Sequence, residues 1–113
     1  MAFVSKHRTA RISPTKVRPV VNQIRRRQID QAIMLMQMSK RRGAHFVRQV
    51  LETAKANAVQ HGDLSTQDAR RLMVAQVCVD QGPTIKRWRP KDRGRAHPIK
   101  KRTSHITVAL EAF

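Results

Sequence analysis

Residues 83–102, PTIKRWRPKDRGRAHPIKKR, carry nine Lys or Arg and one acid, Asp92. Cations at that density suit one kind of chemistry: they neutralise a row of phosphates and release its counterions. Arg outnumbers Lys 16 to 8 across the chain, which favours planar, two-pronged phosphate contacts over simple solubility. Few of these twenty residues can build a core, and as a free ribbon the stretch repels itself. A solvated, tail-like charge run is the plainer interpretation. The β-prone runs on either side, the single Trp88 and a glycine-centred turn favour instead a nucleic-acid probe that orders on binding.

Other chemistries fit poorly. Asp80, Ser104 and His105 form a nucleophilic set on paper, and five His offer metal ligands. No G-x-S-x-G, H-E-x-x-H or P-loop spacing occurs, and seven acids leave little for acid–base work or magnesium. Asp80 reads better as an ion-pair partner in a basic field, and His45, His97 and His105 as nucleic-acid-contacting or exposed residues. Cys78 is the lone cysteine. It permits neither an internal disulfide nor a Cys-rich zinc site, and it reads as a small buried hydrophobe in a strand. The expectation is a non-enzyme with no cofactor, no metal and no small-molecule substrate.

The totals point the same way. The formal charge is +17 and the pI is near 11.9 on 113 residues, 40 % of them apolar. One domain with a modest core is expected, and its self-repulsion calls for a polyanionic partner. No apolar run approaches a membrane span. The start, MAFVSKHRTARISP, lacks the apolar region of a signal peptide. Its Arg-rich, acid-poor character faintly resembles an organelle transit peptide, but it is short and runs straight into helix-forming sequence. A mature cytosolic protein is therefore expected, with an organellar one as the alternative.

The elements that must position these cations follow from periodicity. FVSKHRTARIS is a short basic strand or arm. Ser13-Pro14 predicts a helix start, with Ser as N-cap and Pro at the first position. Val17, Val20, Val21 and Ile24 then form one apolar stripe, while Lys16, Arg18 and Arg25 project elsewhere. Pro19 predicts a kink. Asp30 is expected to cap a second helix through QAIMLMQM, with Ile29 and Met34 as a hydrophobic staple. Met34, Met36 and Met38 alternate as in a strand, but the good helix formers around them favour helix, with the methionines as core filler. Ser39 is expected to cap a long helix ending near His61-Gly62. Its buried stripe is Val47, Val50, Leu51, Ala54 and Ala58, and small Ala54, Ala56 and Ala58 allow close packing. Residues 63–71 read as a loop. LMVAQVCV from Leu72 and ITVAL at 106–110 read as strands that bracket the basic arm.

Two β-prone runs around a turn-rich centre predict one long antiparallel hairpin with its tip near Pro90–Gly94, where Gly94 supplies a left-handed position. Ten residues a side reach roughly 30 Å. Lys86 and Trp88 fall on one face and Arg87 and Arg89 on the other, so both faces carry charge. Pro83, Pro90 and Pro98 interrupt the ladder. An isolated two-stranded ribbon is marginal in water, so the distal arm is expected to be mobile until its partner arrives.

The segments KHRTARISPTKVRPVVNQIR, VLETAKANA and VDQGPTIKRWRPKDRGRA, with the hairpin return KKRTSHITVAL, resemble the bacterial ribosomal protein L twenty-two family, in order and over nearly the whole chain. The resemblance implies an α+β fold: three helices packed on a small antiparallel sheet, with one long protruding β-hairpin. Residues 1–82 and 103–113 would form the body and 83–102 the arm of a single domain. It further implies a structural constituent of the large ribosomal subunit, in the cytoplasm or alternatively in an organelle ribosome, that binds large-subunit ribosomal RNA during assembly. The hairpin would line the nascent-peptide exit tunnel, its tip at the constriction beside the L four family protein and near the macrolide site. By matching position, RNA contacts fall on Lys6, His7, Arg8, Arg11, Ser13, Lys16, Arg18 and Arg25 in the body. On the arm and its return they fall on Lys86, Arg87, Lys100, Lys101, Arg102, Thr103, Ser104 and His105. Trp88, Arg89, Pro90, Lys91, Asp92, Arg93, Gly94 and Arg95 form the reaching tip, Trp88 standing in place of an aliphatic residue. Arg25-Arg26-Arg27 stands where the family commonly has Arg-Gly-Lys. Composition alone equally supports an architectural DNA-binding protein, although the chain shows no zinc finger, basic zipper, helix-turn-helix or aromatic platform.

Overall fold

The computed structural model describes residues 2–61 and 69–112. Period-2 and period-3.6 apolar patterns resolve into strand β1 (Ala2–Ala10), helices α1 (Pro14–Asn22), α2 (Ile29–Met38) and α3 (Arg42–His61), and strands β2 (Leu72–Gln81), β3 (Ile85–Lys91), β4 (Arg95–Lys101) and β5 (Ser104–Ala112). The body sheet has the order β1-β5-β2, and β3 and β4 form a separate two-stranded ribbon. All pairings are antiparallel. The fold is α+β: three helices on a small antiparallel sheet, with a protruding hairpin.

The core lies between one sheet face and the helices. Ile106, Val108 and Leu110 of β5 are fully buried, as strict alternation demands. In β2 the buried positions are Leu72 and Val74, then Val77 and Val79. The change of parity is absorbed by an irregularity between Val74 and Gln76, where an extra residue lets the inward pattern resume. Val17, Val20, Val21 and Ile24, and then Val47, Val50, Leu51, Ala54 and Ala58, are buried as the spacing predicts. Ala56 is exposed, so close packing along α3 rests on Ala54 and Ala58.

Several local expectations are corrected. Ser13 sits at the N-cap of α1 but makes no side-chain bond to the helix backbone; its Oγ lies 3.3 Å from Thr15 Oγ1 instead. α1 runs unbroken through Pro19, which is exposed. α2 opens at Ile29 with Gln28 in the N-cap position, leaving Asp30 in the first turn, where a carboxylate suits the helix dipole. There Asp30 accepts from Lys55 Nζ at 2.6 Å, tying α2 to α3. Ile29 is buried while Met34 is 59 % exposed, so no staple forms. Met38 is exposed too, and only Met36 fills core. Ser39 closes α2 rather than opening α3: its N–H donates to Leu35 O, and its Oγ accepts from the Arg41 N–H at 3.3 Å. Cys78 does lie in a strand but is only half-buried. Asp80 is exposed and forms no ion pair among the described residues, whose pairs are Lys55–Asp30 and Arg48–Glu52. The expected stop at Gly62 and most of the 63–71 loop lie outside the described residues; Ala69 is buried and Arg70-Arg71 turn into β2.

The link between α1 and α2 is stitched to the sheet. Arg26 N–H donates to Val74 O and Val74 N–H to Arg27 O, both at 2.9 Å. This geometry holds Arg26 at φ 60°, a left-handed conformation that favours glycine. The ribbon extends the molecule to 63 Å in its longest dimension, against 25 and 16 Å across.

Candidate nucleic-acid interface

The arm is aimed by its root. β2 leads into β3 through residues 82–84, and β4 returns to β5 through residues 102–103. Gly82 N–H donates to Thr103 O at 2.9 Å, Thr103 Oγ1 donates to Pro83 O at 2.7 Å, and Ser104 Oγ donates to Ile12 O at 2.5 Å. His105 Nδ1 accepts from the Thr9 N–H at 2.9 Å. Thr9 stands at φ 60° in the irregularity where β1 breaks register with β5. A Cβ on Gly82 would lie 2.5 Å from Thr103 Oγ1, so only glycine lets the two crossings approach this closely.

These bonds give the return motif a structural role. Thr103 and Ser104 are 1 % and 0 % exposed, and both hydroxyls already donate to the chain's own carbonyls. In this chain they tie the root of the arm to the body. Half-buried His105 has one ring nitrogen committed as well. Nor does a nucleophilic set assemble. Adjacent strand residues project to opposite faces, so Ser104 turns into the body while His105 and its register partner Asp80 lie on the other side.

Beside the root, three segments distant in sequence converge. Arg11, Ser13 and Lys16 at the entry to α1, Arg42 at the start of α3, and Arg87, Lys100, Lys101 and Arg102 on the arm line a cleft of 540 Å³ with Ile12, Ile85 and Thr103. Seven cations and no carboxylate line it. Such crowding is costly in a free protein and favourable against phosphate. Lys6, His7 and Arg8 border a second hollow, between β1 and Gln49, Glu52 and Thr53 of α3. His7 meets Phe46 edge-on at 5.5 Å between ring centres, and Arg42 lies 5.8 Å from the same ring, within the range where the ring face attracts a guanidinium. Arg18 is exposed but reaches back, its Nη2 donating to Val79 O at 3.4 Å. Arg25 is held by Asn22 Oδ1 at 3.2 Å, away from the cleft lining.

Arg42 and Phe46 were not among the residues singled out from sequence. The available signal was Lys40-Arg41-Arg42 just before and at a helix start, where the dipole disfavours cations. A basic triplet placed against that preference points to an external anion.

The register of the arm sorts its side chains. Ile85 faces Lys101, Arg87 faces Ile99 and Arg89 faces His97 on one side; Lys86 faces Lys100, Trp88 faces Pro98 and Pro90 faces Ala96 on the other. Among the paired residues, charge on the Trp88 side is thus confined to the pair nearest the root. The tip is a single turn, Asp92–Gly94, with Arg93 at φ 61° and Gly94 at φ 72°. Nothing lies within 4 Å of a Cβ built on Gly94, so it is the backbone conformation, not space, that suits glycine here. Among the described residues no cluster of three His, Cys, Asp or Glu could hold a metal, and no helix is long and apolar enough to cross a membrane.

The profile of the family described as ribosomal protein L22p/L17e matches residues 5–111. Among curated proteins, the large ribosomal subunit protein uL22 of Magnetococcus marinus is 52 % identical, over 88 % of this chain and 86 % of its own length. Its counterpart from Thermus thermophilus is 50 % identical over 91 % and 88 %, and that from Syntrophus aciditrophicus 48 % over 89 % of each. A match that runs from β1 through the arm to β5, at about half identity, makes this chain a member of the ribosomal protein L22p/L17e family.

Proposed function

We propose that this large-subunit ribosomal protein binds large-subunit ribosomal RNA during assembly and lines the nascent-peptide exit tunnel with its hairpin tip. The carrying observation is the acid-free cleft at the arm root, where cations from β1–α1, α3 and the arm meet. Lys6, His7, Arg8, Arg11, Lys16, Arg18, Arg25 and Arg42 hold the body against phosphates. Lys86, Arg87, Lys100, Lys101 and Arg102 continue the contact outward. Thr103, Ser104 and His105 act by orienting that row. The residues from Trp88 to Arg95 form the end that reaches the tunnel constriction beside the L four family protein, where the nascent peptide passes. The chain is a structural component and not an enzyme.

The test compares folded large-subunit RNA fragments with duplex DNA of equal phosphate number at several salt concentrations. Tighter binding to structured RNA supports the proposal. Equal affinities with identical salt slopes would favour an architectural DNA-binding protein.

A further inference from the structure

Trp88, at the base of the reaching end of the arm, is 68 % exposed, opposite Pro98 and next on the same face to the facing pair Lys86 and Lys100. Two like charges directly opposite each other destabilise a free ribbon, so the pair is suited to an anion between them. Adjacent positions on one face lie roughly 7 Å apart along the ribbon, comparable with the separation of a base from its own phosphate. Among the paired residues beyond Trp88, the same face carries Pro90 and Ala96. We infer that this face is a nucleotide seat: the indole of Trp88 stacks on one unpaired RNA base while Lys86 and Lys100 grip the adjoining phosphate. The inference rests on the RNA-binding reading and refines it. An apolar peptide would cover Trp88 but leave the two ammonium groups uncompensated, and a paired base in a duplex keeps its faces buried in its own stack.

Trp88 is the only Trp and Tyr is absent, so the ultraviolet-excited emission of the intact protein reports on this residue alone. The probes are a single-stranded oligoribonucleotide of about ten residues, a duplex RNA with the same number of phosphates, and inorganic polyphosphate of equal charge. The single strand is expected to quench emission by at least about half, with little effect from the other two. Trp88→Ala is expected to weaken single-strand binding about fivefold or more without altering its salt slope, and Trp88→Phe to restore most of it. Lys86→Gln with Lys100→Gln should lower that slope by roughly one to one and a half. Equal quenching by polyphosphate overturns the seat. So does unchanged emission at saturating RNA, measured by anisotropy of a labelled strand, although general RNA binding would then stand. A blue shift with an apolar peptide alongside silence toward RNA reassigns the face to a peptide and likewise overturns the seat. Absence of any RNA binding would remove both the seat and the proposed function.

Discussion

Replacing Gly82 by Ala tests whether the arm is aimed by the crossing at its root. The new methyl group would sit 2.5 Å from Thr103 Oγ1 and 3.2 Å from His105 Cε1. Thr103 is 1 % exposed and cannot swing outward without giving up its 2.7 Å bond to Pro83 O. Overpacking of this kind costs about 1–3 kcal/mol, and losing a satisfied buried hydroxyl adds about 1 kcal/mol. Reduced freedom of the unfolded chain returns about 0.4–1 kcal/mol. The net expectation is a loss near 2 kcal/mol in urea unfolding of the full chain. Thr103→Ala in the same chain removes the clashing oxygen, so the double variant should be about 1–2 kcal/mol more stable than the sum of the singles. Gly82→Ala should also weaken binding of structured RNA with an unchanged salt slope, because orientation is lost and no charge is. A Gly82→Ala protein within about 0.5 kcal/mol of the parent, or strict additivity in the cycle, would refute the argument that close approach at Gly82 fixes the arm.

Arg42→Gln should lower the salt slope of RNA binding by roughly one, as for any single phosphate contact; an unchanged slope would exclude Arg42 from the interface despite its place in the cleft. Arg26→Gly relieves a left-handed non-glycine residue worth about 1 kcal/mol or more, partly offset by unfolded-state entropy. Urea midpoints should therefore rise by an amount equivalent to about 0.5 kcal/mol, and a fall would show that the Arg26 side chain contributes more than its backbone costs. Deleting residues 89–95 should leave incorporation into large subunits largely intact while changing the tunnel lining and the response to macrolides. Loss of incorporation on tip deletion, with body substitutions silent, would reverse the division of labour between cleft and tip.

The architecture was legible because its signals are redundant. The stripes of α1 and α3 and the runs at Leu72 and Ile106 each bury one face, and these faces meet. Gly94 marked the turn for a backbone reason that the structure bears out. What misled is local chemistry with two possible uses. Ser39 is as fit to close a helix as to open one, and the end of α2 claims it. Asp30 lies one residue inside the helix, and its carboxylate finds Lys55, a partner 25 positions away that no local window includes. Met34 and Met38 are apolar by type but exposed on α2. Thr103 and Ser104 likewise carry a use that local sequence does not show. Their place among Lys100, Lys101 and Arg102 suggests ligand contact, yet their hydroxyls satisfy carbonyls of Pro83 and Ile12, the latter brought near only by tertiary folding. Residue identity marked the cleft's cations, but their convergence with Arg42 required the fold.

The centre of the body sheet is β5, the last strand in chain order, and it alone joins β1 to β2. A ribosome synthesising this protein therefore delivers all nine arm cations before the strand that completes their mounting. Pairing strands from opposite ends of a chain is also slow, because a long loop must close first. Until that happens the newborn polypeptide is adhesive without being directional, which gives the cell a reason to keep it away from stray polyanions until β5 has emerged.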